Sequence, residues 1–192
     1  MKVRAFGLIF IIGVLLLAGC GKKEIEGAQN WPVKDFSYTN QDGKSFGSKN
    51  LKGKVWVADF VFTSCVDVCP PMTSNMASLQ KKVKEAGIKN VEYVSFSVDP
   101  TVDKPETLKN YGGRFGVDFK NWNFLTGYSQ EEIETKAMKE FKMIVKKPQE
   151  GDQVIHGTDF FLINQEGKIQ KYYTGLQEIP YDKIIDDIKT LQ

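Results

Sequence analysis

The sequence has one histidine and three cysteines among 192 residues. A single histidine excludes a His-rich metal site and any catalysis that needs a histidine pair. There is almost no excess of charge, with 26 basic and 24 acidic side chains and a formal net charge of +2, so nothing suggests a basic nucleic-acid-binding surface. Internal repeats and low-complexity segments are missing. So is a phosphate-binding glycine loop, because the doublet Gly112-Gly113 lacks the preceding strand such a motif requires. A Ser-His-Asp hydrolase has Ser64 as its one well-placed candidate, without an elbow around it. What is present is a 41% apolar, 26% charged composition, which suits one folded domain rather than a disordered tail or fibrous repeat.

The long apolar run sits at the N-terminus. Lys2 and Arg4 precede an uncharged stretch from Ala5 to Gly21, 17 residues. As a helix this would span ~25 Å against ~30 Å for a bilayer core. A positive start, a short apolar segment and the small residues Ala18 and Gly19 describe a secretory signal. The run Leu17-Ala18-Gly19-Cys20 resembles the bacterial lipobox, which implies acylation of Cys20 as the first mature residue. An uncleaved signal anchor is the alternative. Both place the domain at the outer face of the cytoplasmic membrane, and acyl chains hold it there at ~0.8 kcal/mol per buried methylene. The expected organisation is a signal peptide over 1–19, a lipidated N-terminus and tether over 20–32, and one domain over 33–192. Removing 1–19 leaves 173 residues, takes away Lys2 and Arg4, and balances the charge at 24 against 24. Two cysteines then remain for the domain, Cys65 and Cys69, enough for one disulfide in an oxidising compartment.

Along the chain, Phe36–Thr39 and Lys44–Phe46 flank Asn40-Gln41-Asp42-Gly43, a hairpin signal. Val55–Phe62 reads as a strand buried on both faces. A helix beginning with prolines is expected from about Met72 to Ala86, ending at Gly87. Val91–Val98 is a second core strand, and Asp103 is spelled as the N-cap of the next helix. Trp122–Leu125 is a short strand, and Ser129-Gln130-Glu131-Glu132 opens a helix reaching about Phe141. His156–Ile163 and Lys168–Tyr173 form a strand pair around a turn at Asn164–Gly167. Pro180–Leu191 is an amphipathic helix with Ile184, Ile185, Ile188 and Leu191 on one side. Strands alternating with helices, then an antiparallel pair, indicate an α/β sandwich around a mixed sheet.

The chemistry concentrates at Cys65 and Cys69, four residues apart where the first core strand gives way to a helix. Side chains at that spacing lie ~5–6 Å apart on a helical turn, within reach of one metal ion or of a disulfide. A helix N-terminus also favours thiolate over thiol. A structural disulfide or two inert buried thiols are the other readings, although so small a loop gains little from closure. His156 is a third donor if the start of its strand lies beside the Cys loop. Two thiolates and an imidazole suit Cu(I), Cu(II) or Zn(II) and exclude Mg(II) and Ca(II). Asp67, inside the loop, is read as tuning the thiols. Met72, Met76, Met138 and Met143 are expected in core packing, and Lys81-Lys82 and Lys146-Lys147 on solvated faces. Asp99-Pro100 reads as a loop.

Three segments, Phe62-Thr63-Ser64-Cys65-Val66-Asp67-Val68-Cys69-Pro70, Ser97-Val98-Asp99-Pro100 with Asp103, and His156-Gly157-Thr158, resemble the Sco/SenC family across the mature domain. The resemblance implies a thioredoxin-like fold, a mixed sheet flanked by helices, with an added N-terminal β-hairpin. It also implies a copper-binding role in assembling the CuA centre of cytochrome c oxidase, with Cys65, Cys69 and His156 as ligands for Cu(I) or Cu(II). The sequence departs from the family pattern at Val66, where many members carry Pro, and at Ile155, where many carry Asp. The second departure puts in doubt a carboxylate partner for His156.

Three functions follow as expectations. The first is a metallochaperone that delivers copper to oxidase subunit II. The second is a thiol–disulfide oxidoreductase that keeps the CuA cysteines reduced and draws on a thiol reductant protein. The third is a docking module with a structural disulfide.

Overall fold

The computed structural model describes residues 25–192; the expected signal peptide and Cys20 lie outside the described residues. The apolar stretch Val55–Val61 forms the central strand β4, buried along its whole length. It pairs in parallel with β5 (Val91–Ser97), which pairs in parallel with β6 (Trp122–Thr126). On its other side β4 meets β7 (Asp159–Ile163) antiparallel, and β7 meets β8 (Lys168–Thr174) across the expected turn. The hairpin β2 (Ser37–Asn40) and β3 (Ser45–Gly47) attaches to β6, while the two-residue strand β1 (Trp31–Pro32) pairs with β8. The sheet therefore runs β1-β8-β7-β4-β5-β6-β2-β3. Helices α1 (Ser48–Leu51), α2 (Cys69–Glu85), α3 (Pro105–Gly113), α4 (Gln130–Phe141) and α5 (Tyr181–Thr190) complete the fold.

Strand alternation divides the core between two faces. Phe60, Phe96 and Phe161 meet Phe141 of α4 on one face, with ring centroids 5.0–6.3 Å apart. On the other face Trp122 stacks on Phe124, which meets Tyr111 of α3 edge-on, and the Tyr111 hydroxyl bonds Thr73 of α2 at 2.8 Å. Each buried ring of this size contributes roughly 1.5–3 kcal/mol of transfer free energy. These two faces fix where α2 begins, and hence where Cys69 stands.

The elements follow the expected order, with local differences. Helix α2 starts at Cys69 rather than near Met72, because Pro70 and Pro71 occupy its first turn, where a missing N–H breaks no helical bond. Lys104, not Asp103, stands at the N-cap of α3, and no side chain caps it. The Asp103 carboxylate turns inward instead and accepts from Ser97 Oγ and from Thr63 N–H and Oγ1. Ser129 does cap α4, accepting from Glu132 N–H at 3.1 Å. Strand β7 opens at Asp159, so His156 belongs to the preceding segment. Residues 25–32, read from the sequence as part of a tether, lie against the sheet: Ile25 is buried and Gln29 N–H bonds the Gln170 carbonyl.

Candidate metal centre

Strand β4 delivers the chain to the site at its carboxyl end. The Asp103 carboxylate holds Thr63 by both N–H and hydroxyl, so the turn before Cys65 is fixed from α3's side of the sheet. Cys65 N–H bonds the Phe62 carbonyl at 3.3 Å, and four residues later Cys69 becomes the first residue of α2. The antiparallel strand β7 begins beside that end of β4, which brings His156 to the thiols although 87 residues separate it from Cys69.

The three side chains converge. Cys69 Sγ lies 3.2 Å from His156 Nε2, and Cys69 N–H donates to Cys65 Sγ at 3.3 Å. All three donor atoms lie within 4.8 Å of one another. Neither cysteine is in a disulfide. His156 Nδ1 is 2.8 Å from the Gly157 carbonyl. A carbonyl only accepts, so Nδ1 carries the proton and Nε2 turns its lone pair toward Cys69. That contact answers the question raised by Ile155: a backbone carbonyl orients the imidazole where a carboxylate often does so. Phe62 packs edge-on against the ring at 5.7 Å.

The two thiols are electrostatically unlike. Cys65 is pushed down to about 4: the Cys69 thiol donates to it, the backbone N–H groups of Cys69 and Asp67 reinforce the thiolate, and burial opposes them. Cys69 is pushed strongly upward by holding its proton toward Cys65 and by complete burial. The site at rest is therefore a Cys65 thiolate beside a Cys69 thiol. Asp67 contributes through its backbone N–H, while its residue is exposed.

Sequence reasoning placed some residues differently. Met72 and Met76 are fully buried in α2 and Met143 is buried, but Met138 is 49% exposed. The buried face of α4 is carried by Ile133, Lys136, Ala137, Glu140 and Phe141, and Met138 stands off it. Lys147 is not a simple solvated lysine: its Nζ pairs with the buried Asp99 carboxylate at 2.6 Å and touches Thr101 Oγ1. Gln153 Nε2 donates to the Ser64 carbonyl at 3.2 Å and ties the segment before His156 to the Cys loop. The largest omission is Asp59, in the middle of β4. It is completely buried, neither carboxyl oxygen has a hydrogen-bond partner, and burial pushes it up to about 7. The neighbouring Ser95 hydroxyl and His156 oppose that rise. An acid inside an otherwise apolar strand was the signal that could have found it.

The SCO1/SenC family model matches residues 26–192. The chain belongs to the SCO1/SenC family. A SCO1/SenC family lipoprotein from Bacillus anthracis str. Ames is 55% identical and superposes with a TM-score of 0.84, over 87% of this chain and 98% of that one. BsSco, described with a disulfide switch and as a member of the Sco family of cytochrome c oxidase assembly proteins, is 51% identical with a TM-score of 0.81, over 87% and 96%. Arabidopsis thaliana ScoI, solved with copper bound, is 31% identical with a TM-score of 0.68, over 82% and 96%. The fold is thus the thioredoxin-like mixed sheet of Sco proteins with its N-terminal hairpin. Two sulfurs and one imidazole nitrogen form a donor set that fits a copper ion. Among the described residues no helix is long and apolar enough to cross a membrane.

Proposed function

We propose that this chain is a membrane-anchored copper metallochaperone that assists assembly of the CuA centre on cytochrome c oxidase subunit II. The observation that carries the reading is the convergence of Cys65, Cys69 and His156 within 4.8 Å, on a frame shared with Sco proteins. Bound there, copper supplies an exchangeable soft cation for a partner's thiolate and imidazole ligands. The Cys65 thiolate is ready to bind, and Cys69 must first lose its proton. The Gly157 carbonyl keeps His156 Nε2 available. A two-electron oxidant, such as a partner's disulfide that is reduced in exchange, would close Cys65–Cys69, remove two thiolates from the site and favour release. The exposed Val66 and Ile155 beside the ligands offer an apolar rim for docking the acceptor. Cys20 is proposed as the lipidated residue holding the domain on the outer face of the cytoplasmic membrane; the lipoprotein description of the Bacillus anthracis relative supports this.

A second reading, thiol–disulfide exchange that keeps the CuA cysteines reduced, is supported by the unlike thiols. A low-lying Cys65 thiolate beside a buried Cys69 thiol is a nucleophile with its resolving partner. Copper titration of the reduced domain, with Ala at each of the three positions, tests the first reading. Each substitution should weaken binding, and unchanged affinity in His156→Ala would remove the three-ligand site. Oxidase assembly supported fully by His156→Ala, but not by either Cys variant, would favour the redox reading.

A further inference from the structure

The segment that carries His156 has little regular structure of its own. Among the described residues between Phe141 and Asp159, only Lys146 and Ile155 pair as in a sheet, each N–H bonding the other's carbonyl at 2.9 Å. That pair closes a loop over 147–154, and His156 is the next residue after it. Side chains from elsewhere hold the loop in place. Glu134 of α4 accepts from Lys147 N–H at 3.0 Å and from Lys146 Nζ at 3.2 Å. Gln153 Nε2 reaches the Ser64 carbonyl at 3.2 Å. The third tie is a charge pair: Lys147 Nζ stands 2.6 Å from Asp99 Oδ1 and 3.1 Å from Thr101 Oγ1.

Asp99 belongs to the turn that follows β5, and that turn also holds the other half of the site. Asp103, four residues on, grips Thr63 just ahead of Cys65. The turn is itself well braced. Asp99 N–H bonds Ser97 Oγ, and the Asp99 carbonyl accepts from the N–H groups of Val102 and Asp103. One carboxylate thus faces the Cys limb and the other the His limb, from a single short piece of backbone. Exposure separates the ties in strength. The Asp99 side chain is 3% exposed and that of Lys147 25%, so salt screens their pair little, and an unpaired Asp99 would be a buried charge without a partner. Lys146, paired with Glu134, is 65% exposed and contributes less.

We propose that Lys147 is a positioning residue for His156, and that its pair with Asp99 keeps the imidazole within reach of the ion held by the two sulfurs. The path from the ammonium to the ligand is short. Lys147 follows Lys146, Lys146 is bonded to Ile155 through the backbone, and Ile155 precedes His156. Lys147 touches neither the metal nor a ligand, and it acts through the place it gives the backbone. The turn over 97–103 is then a common post for both limbs, Asp103 setting the sulfurs and Asp99 setting the nitrogen. Once Lys147 lets go, the Cys loop stays fixed by Asp103, and copper keeps two sulfurs while the nitrogen is no longer held in place.

This inference rests on the copper reading, and one set of measurements separates the two. The protein is the tag-free full chain in detergent, reduced and under anaerobic conditions; its single histidine makes every imidazole signal that of His156. In the metal-free protein, nitrogen NMR of the ring should show one tautomer with Nδ1 protonated, and Lys147→Met should give the averaged shifts of a solvated imidazole. With Cu(I) bound, X-ray absorption should count two sulfurs and one imidazole in the wild type and lose the imidazole in Lys147→Met. Affinity should fall about tenfold, the scale for losing an outer partner of a ligand, and Lys147→Arg should keep most of it. In a His156→Ala background Lys147→Met should weaken binding no further, because it acts through that ring. Asp99→Asn/Lys147→Met leaves no unpaired buried charge and carries the same test if Lys147→Met does not fold. Retained imidazole scattering with an unchanged ring tautomer in either folded variant overturns the inference, even where stability falls. A further loss of affinity in the His156→Ala background overturns it as well. No sulfur scattering from copper in the wild type would instead remove the copper reading, and the ring NMR would still decide the role of Lys147.

Discussion

Cys65 and Cys69 are the same residue type a single helical turn apart, yet the fold gives them opposite acid–base character. The Cys69 thiol and the neighbouring N–H groups hold Cys65 down to about 4. Its alkylation rate should therefore stay near its plateau as pH falls from 8 to about 5, then drop. Cys69→Ala removes the first of those donors and should move the inflection upward. An inflection in the wild type at the ordinary thiol pKa of roughly 8.5 would show that the donors do not act. Asp59 carries the opposite sign. Its folded form keeps a proton up to about 7, whereas the unfolded chain loses it near 3.8. Between those values the folded state binds more protons, so stability falls as pH rises through the window, by roughly 1.4 kcal/mol per unit. Asp59→Asn should flatten that slope and leave the variant more stable than wild type above pH 7, as denaturant unfolding would show. The cysteines and the histidine were legible because their side chains carry chemistry in any setting. Asp59 and Asp103 were not, since their roles depend on partners from other strands that the local sequence does not display.

At the scale of elements, the capping and periodicity signals located every helix of more than one turn and every core strand, because those signals are local. The failures were also physical. Asp103 was spelled as a cap, but Ser97 and Thr63 offered it three donors in the core. Met138 has an apolar side chain, but the turn of α4 places it outside. The segment before β7 shows how packing reaches the ligands. A Cβ on Gly157 would stand 2.7 Å from Met143 Sδ and 2.8 Å from its Cγ. Gly157→Ala should then shift the carbonyl that holds His156 Nδ1 and lower copper affinity by about tenfold, the scale for losing an outer partner of a ligand. Adding Met143→Ala empties the clashing volume and should recover most of that affinity, even though the double variant is less stable. Titrating both proteins tests the coupling. Additive losses would show that Met143 does not act through Gly157.

For the molecule as a whole, the α/β class followed from the order of elements, whereas the sheet order did not. Placing β7 next to β4 is a long-range pairing, and that pairing makes the Cys loop and His156 neighbours. A ligand that binds only the folded state stabilises it by mass action. Copper in 100-fold excess over its dissociation constant should add about 2.7 kcal/mol, which a competing chelator should take away. The Cys65→Ala/Cys69→Ala double variant should unfold at the same temperature with and without the metal. A copper-dependent shift in that variant would place the binding elsewhere.

The pairing of β1 with β8 and the burial of Ile25 bear on how far the site can travel. If Cys20 carries lipid as proposed, the chain from Cys20 to Ile25 spans at most ~18 Å even when fully extended. The domain is then moored by its own sheet edge rather than flown on a long leash. Residues 31 and 32 meet β8 at its beginning, Ile169 and Lys168, the end of the sheet away from the Cys loop. On that reading, the body of the fold would set the height at which the copper ligands face an acceptor. A flexible insert after residue 24 would loosen that setting without touching a ligand.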